Sequence, residues 1–384
     1  MTTKKRLNYI DWAKAISIAL IVFGHILPSG CGPKTLAYAF HVPMFALIGG
    51  VLFSAPKNFA QFGKKLFGMF KRMVVPYMIW FAISASLYYL SKEKMPDIVR
   101  WSAKLVDGVT TLDFKQFIKF FFFYENATLW NDPLWFMPCY IFLSVLLLCF
   151  LFATRGNRIA TGALSFTSFV TVIVLDELNV TINAGEVKNI FGLKNYFLML
   201  GFLALGYAIR PLLDKCYGAF KGPKSNPILY GSIAIFIVSA IFCLKHNKYD
   251  YPGGYYPLSM YSAAYNGLWQ YILFAILLSL SLLLVFMLLP ESKIAGMFSR
   301  NSLFIMSTHY FFFAYDMTFY GVIKSKWKDI AGTAGLESWE ISMKLGIRDA
   351  VFVLVVYLVL FLITDLLIKK IPKSKYGFEL IGIK

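Results

Sequence analysis

Four histidines occur in the 384-residue chain, and three of them, His25, His41 and His309, fall inside long apolar runs. An ionisable side chain is costly there and by default points to function. His25 stands near the end of one run and His41 near the start of the next, across a short connection with Pro28, Gly30, Gly32 and Pro33. Two antiparallel helices joined in this way bring both imidazoles to similar depth. An imidazole ionises near neutral pH, so it is the side chain suited to take a proton from a hydroxyl. A hydrogen-bonding histidine at the membrane interface is the alternative role for each. Lys14 precedes His25 by eleven residues, about 16 Å along a helix. It has Asp11 one turn away as a partner, and a snorkelling lysine is the plainer reading of it. His309 and Asp316, seven apart in a later run that also holds Ser302, share a helical face and should look into a bundle together.

The elements that must hold these groups are membrane spans. The chain is 58% hydrophobic and 18% aromatic but only 15% charged, which excludes an ordinary soluble domain of roughly 25% charge. Ten apolar runs of spanning length can be read: 9–27, 36–53, 73–90, 134–153, 159–175, 194–209, 228–244, 268–289, 301–320 and 349–368. They predict an all-α polytopic membrane helix bundle that forms one integral membrane domain over residues 1–384. The basic start followed by the first run imitates a signal peptide, but Asp11 and Lys14 within it argue for a retained helix. Lys and Arg concentrate in the short connections on the side of the N-terminus, while the longer opposite connections hold most of the acids. The positive-inside rule therefore puts both termini in the cytoplasm. A net charge of +18 then reads as short cytoplasmic loops held against anionic membrane lipid, and no nucleic-acid partner is expected. The five cysteines are scattered without C-x-x-C spacing, so neither a disulfide framework nor a metal site is expected.

Two connections on the outer side are too long to be mere links. The first, 91–133, contains the aromatic run FIKFFFFY, too short to span and suited to lie at the interface. The second, 245–267, is rich in Tyr, Gly and Pro. Binding determinants tend to sit on loops carried by a rigid scaffold, so Trp130, Trp135, Tyr255 and Tyr256 are expected to stack on the apolar face of a sugar. Asp132 or Asp250 would take its hydroxyls. An interfacial aromatic belt is an equal account of any single Tyr.

Together these segments resemble the acyltransferase-3 family of integral membrane acyltransferases, in particular its fucose 4-O-acetylase-like branch. YIDWAKAISIALIVFGH (9–25) is similar to the family's opening motif, in which a basic residue, Lys14 here, precedes a His by eleven positions. FHVPMFALIGGVLFS (40–54) resembles its F-H-x-P-x-F segment, with Gly49 where Ser is commonest. KRMVVPY (71–77), PLWFMPCYIF (133–142) and NSLFIMSTHYFF (301–312) are similar to later motifs, so the resemblance runs over essentially the whole chain. It implies transfer of an acyl group, usually acetyl, from cytoplasmic acyl-CoA to a hydroxyl of a cell-envelope glycan, at the bacterial cytoplasmic membrane. Acetyl-CoA would be a substrate, and no bound cofactor is expected. His25 would be catalytic with Lys14 and His41 in support, and Lys14, Lys71 and Arg72 would meet the donor. No fused extracytoplasmic hydrolase-like domain follows the last run, so the membrane domain is expected to act alone. The competing reading is a transporter for a glycan or small anion along a polar path, which should show paired repeats with broken helices.

Overall fold

The computed structural model describes residues 7–27, 31–91, 131–182, 193–220, 225–248, 254–256, 258–260 and 264–309, and positions 351, 355, 358, 359, 361 and 362. Trp130, Asp250, Asp316, the aromatic run of the first long connection and most of the last apolar run lie outside them. The described chain is a helical bundle. Helix α1 covers Asn8–Ile26, α2 Gly32–Leu52, α3 Phe59–Met69 and α4 Val75–Ser91, with a single π-helical stretch at Phe70–Val74 joining the last two. After a 3-10 turn at Asp132–Trp135 come α5 (Phe136–Ala153), α6 (Arg158–Ile182), α7 (Leu193–Ala219) and α8 (Ser225–His246). Helices α9 (Leu268–Leu288), α10 (Lys293–Arg300) and α11 (Ser302–Thr308) complete it.

Among the described residues seven helices are long and apolar enough to cross a membrane. Helix α1 is not one of the seven. It is instead packed inside the bundle against α2, α9 and α10. The helices alternate in direction, as ties at the two ends show. At the end where α1 begins, Asn8 Nδ2 donates to the Leu289 carbonyl at 2.7 Å and Trp12 Nε1 to the Pro290 carbonyl at 2.8 Å. Arg210 of α7 donates to the Phe53 carbonyl just after α2 at 3.3 Å, and Tyr207 donates its hydroxyl to the Gly156 carbonyl at 3.1 Å. At the far end Lys194 of α7 pairs with Asp176 of α6.

The centre of the bundle is the crossing of α2 with α7, and glycines allow it. A Cβ on Gly50 would run into the backbone carbonyl of Leu203, and one on Gly206 into that of Leu47. Between membrane helices, where lipid tails are as apolar as leucine, such close van der Waals packing is a main source of association. Gly49 faces the Tyr140 hydroxyl so closely that a Cβ would collide with it. The tyrosine thus occupies the room a larger residue at position 49 would need.

Several boundaries differ from those read in the sequence. The third span, α4, begins at Val75, close to 73, but the connection before it is helical: α3 starts at Phe59, capped by Asn58 Oδ1, which accepts from the Gln61 N–H at 2.9 Å. Its lysines hide a helical period of Phe59, Phe62 and Leu66, and no residue of α3 is buried in the bundle. Lys71 and Arg72 accordingly stand exposed on the π-helical stretch rather than in a loop. The sixth span is 27 residues, not 16, since Lys194 and Asn195 do not interrupt α7; the ion pair to Asp176 satisfies the lysine. The ninth run is preceded by α10, which packs along α1, so Lys293–Arg300 is helix and not a connection.

Candidate functional site

At the far end of the bundle, opposite the start of α1, a cavity of about 120 Å³ lies between four helical elements and one loop. His25 enters from the last turn of α1, and Tyr38 and His41 from the first half of α2. Trp135 comes from the end of the 3-10 turn, Phe136 from the start of α5, Met306 from α11, and Ser259 and Met260 from the segment before α9. Among the described residues, no Asp, Glu, Lys or Arg lines the cavity.

The polar groups of this cavity are linked ring to ring. The His25 and His309 rings lie 5.3 Å apart between centroids, with His309 fully buried behind His25 and His25 itself only half-buried. Tyr38 sits between the other pair, edge-on to His41 at 4.8 Å and to His25 at 6.1 Å. Gly24 makes this possible, because any Cβ there would overlap the Tyr38 ring. Lys34 lies over the other part of the tyrosine, 5.5 Å from its centroid, and donates to the Leu27 carbonyl at 3.0 Å.

The tautomers of two imidazoles follow from their neighbours. His41 Nδ1 lies 2.6 Å from the Ala37 carbonyl and His309 Nδ1 lies 3.0 Å from the Ile305 carbonyl. A carbonyl only accepts, so each Nδ1 carries the proton, and in the neutral ring Nε2 keeps a lone pair. Both bonds run one turn back along the residue's own helix, so helix geometry fixes the rings. Asn131 ties the start of α5 to α11 by donating to the Ser307 carbonyl at 2.7 Å, which brings the Trp135 wall against the His309 helix. Cys31 is buried in the α1–α2 connection, and burial pushes its thiol up from the ordinary range, so it is a neutral thiol rather than a nucleophile.

Of the residues singled out in the sequence, His25, His41 and Trp135 meet in the cavity, and His309 joins them through His25. Lys14 does not: it is half-buried three turns below His25 on the same face of α1, toward the other end of the bundle. Lys71 and Arg72 are exposed at that other end. Ser302 opens α11, two turns before His309. Tyr255 lies against the start of α2, where a Cβ on Gly32 would touch its ring at 3.4 Å, and Tyr256 is held by its N–H to the Asn247 carbonyl at 2.8 Å. Neither lines the cavity. The Asp132 backbone opens the 3-10 turn that presents Trp135. Tyr38, Asn131, Ser259 and Met260 were not legible as site residues. Only Tyr38 left a signal, its i, i+3 spacing to His41.

The described residues thus form a polytopic helical bundle with two imidazoles lining a cavity at one end. The chain matches the acyltransferase domain family, acyltransferase-3, over residues 7–368, and it belongs to that family. It is therefore a multi-pass membrane acyltransferase. No curated protein and no solved structure matches it.

Proposed function

We propose that this protein moves an acetyl group from cytoplasmic acetyl-CoA to a hydroxyl of a cell-surface polysaccharide or its lipid-linked precursor, in a bacterial cytoplasmic membrane and as a member of the fucose 4-O-acetylase-like branch. The observation that carries the reading is the meeting of His25 and His41 in one cavity at the end opposite the start of α1, with no charged side chain among its described lining residues. A neutral sugar ring suits such a lining, with the Trp135 and Phe136 rings against its apolar face and imidazole and hydroxyl groups for its O–H groups. In the reaction a ring nitrogen of His25 takes the proton of the acceptor hydroxyl as its oxygen attacks the thioester carbonyl. The C–O bond forms, the C–S bond breaks, and the imidazolium returns its proton to the departing thiolate. His309 buttresses His25 from behind, and His41, with its Nδ1 tied to the Ala37 carbonyl, lines the same cavity.

The donor approaches from the other end. Of the cations there, Arg158 is held over the Tyr207 ring at 3.8 Å and Arg210 is spent on the Phe53 carbonyl and on Asp214 at 3.6 Å. Lys71 and Arg72 are exposed and suit the phosphates of CoA. Lys14 stands on the α1 face between those phosphates and His25. Replacing it separates charge from bulk: Lys14→Arg is expected to keep most turnover, while Lys14→Met, with its apolar stem intact, is expected to keep little. Equal turnover of the two would leave Lys14 as a snorkelling residue.

The function itself is tested with the purified full-length protein, acetyl-CoA and candidate glycans, by following free thiol and acetylated product. Acceptor-dependent thiol release is the expected result. Glycan movement across vesicles with no thioester cleavage would make the protein a transporter instead.

A further inference from the structure

The cavity has two kinds of wall. Every described lining residue but two belongs to a helix or to the 3-10 turn that leads into α5, and those elements also position the histidines. The two others are Ser259 and Met260, from non-helical chain between α8 and α9. That segment is tied to its own flanks, and Tyr255 also lies against the start of α2. Ser259 and Ala264 exchange backbone hydrogen bonds at 3.0 Å each, Lys248 bridges to Tyr255, and Asn266 Nδ2 donates to the His246 carbonyl at 2.7 Å. Met260 is nearly fully buried with the main core, so its thioether is a true wall of the cavity and not a surface residue. Methionine is a flexible filler whose replacement changes volume without placing new charge, and a serine hydroxyl can donate to or accept from a sugar hydroxyl.

We infer that Ser259 and Met260 determine which acceptor the enzyme takes: Met260 sets the size of the sugar admitted beside His25, and Ser259 orients a hydroxyl next to the one that reacts. The inference rests on the acyltransferase reading above. It differs from the assignment of acceptor choice to Tyr255 and Tyr256, which lie outside the cavity wall. Because the wall comes from a different element than the helices that carry the histidines, its residues should change acceptor choice and leave use of the donor alone.

The test uses full-length protein in detergent, acetyl-CoA, and three probes: water alone, methyl glucoside as a single ring, and maltose as a double ring. Met260→Ala is expected to raise kcat/KM for maltose over methyl glucoside about tenfold, the scale of one or two methylenes in a pocket, and Met260→Phe to lower that ratio similarly. Ser259→Ala, the change least able to disturb folding, is expected to raise KM for methyl glucoside while KM for acetyl-CoA stays unchanged. Unchanged acceptor ratios in both Met260 variants together with an unchanged methyl glucoside KM in Ser259→Ala would overturn the inference and leave the acyltransferase reading standing. So would a fall in all activities together, which marks a structural role. Absence of thiol release by the unsubstituted protein with every probe would overturn the acyltransferase reading, and this inference with it.

Discussion

His25→Ala is expected to abolish acyl transfer, by roughly 10²- to 10⁴-fold, while the protein inserts and unfolds at its usual temperature. The size follows from the loss of a positioned base. The persistence of the fold follows from where the ring sits: half-buried at the cavity edge, on the last turn of α1, outside the packed crossing of α2 with α7. His309→Ala should cost less, since His309 touches His25 and is not among the cavity-lining residues. The discriminating comparison is the two variants side by side for acetyl-CoA turnover and for thermal unfolding in detergent. Near-normal turnover of a folded His25→Ala protein would move the base to His41, whose Nε2 has the tautomer for it.

The largest effect on stability is expected at Gly50. A Cβ there meets the Leu203 backbone carbonyl, and no side-chain rotation relieves a clash with backbone, so Gly50→Leu must part α2 from α7. Overpacking typically costs 1–3 kcal/mol or more, and here the reciprocal contact of Gly206 with the Leu47 carbonyl would be lost with it, so we expect at least about 3 kcal/mol. Gly63→Ala and Gly218→Ala are the controls, because a Cβ at either meets nothing within 4 Å, and in a helix interior alanine is favoured over glycine by about 1 kcal/mol. If Gly50→Leu unfolded no sooner than those controls, the α2–α7 crossing would not be what holds the bundle.

How much of this was legible in the sequence depended on whether a signal lies along one helix or between helices. The spans were legible because hydrocarbon burial writes itself as long apolar runs, and the pairing of His25 with His41 because a short connection forces two antiparallel helices together. The π-helical link was not, since four basic residues between Lys64 and Arg72 look like a loop unless Phe59, Phe62 and Leu66 are read as a helical period. The closeness of His309 to His25 was beyond reach, because it depends on α10 and α11 packing along a helix almost three hundred positions earlier. Met260 and Ser259 gave no sign either. A loop residue becomes a cavity wall only through the path its chain takes across other elements, and that path has no period.

The ties of Asn8 to Leu289 and of Trp12 to Pro290 join groups 281 and 278 residues apart in the chain. At synthesis rates of about 5–20 residues per second, the first helix is made some tens of seconds before the partners that seat it exist. During that interval α1 carries Asp11, Lys14 and His25 with neither α9 nor α10 to pack against. The enzyme is thus closed by its last third: a nascent or truncated chain ending before residue 268 holds His25 and His41 but has neither α9 and α10 to seat α1 nor the helix that brings His309. Such a chain is all inventory and no site, so a cell that releases it early carries a membrane protein without the activity.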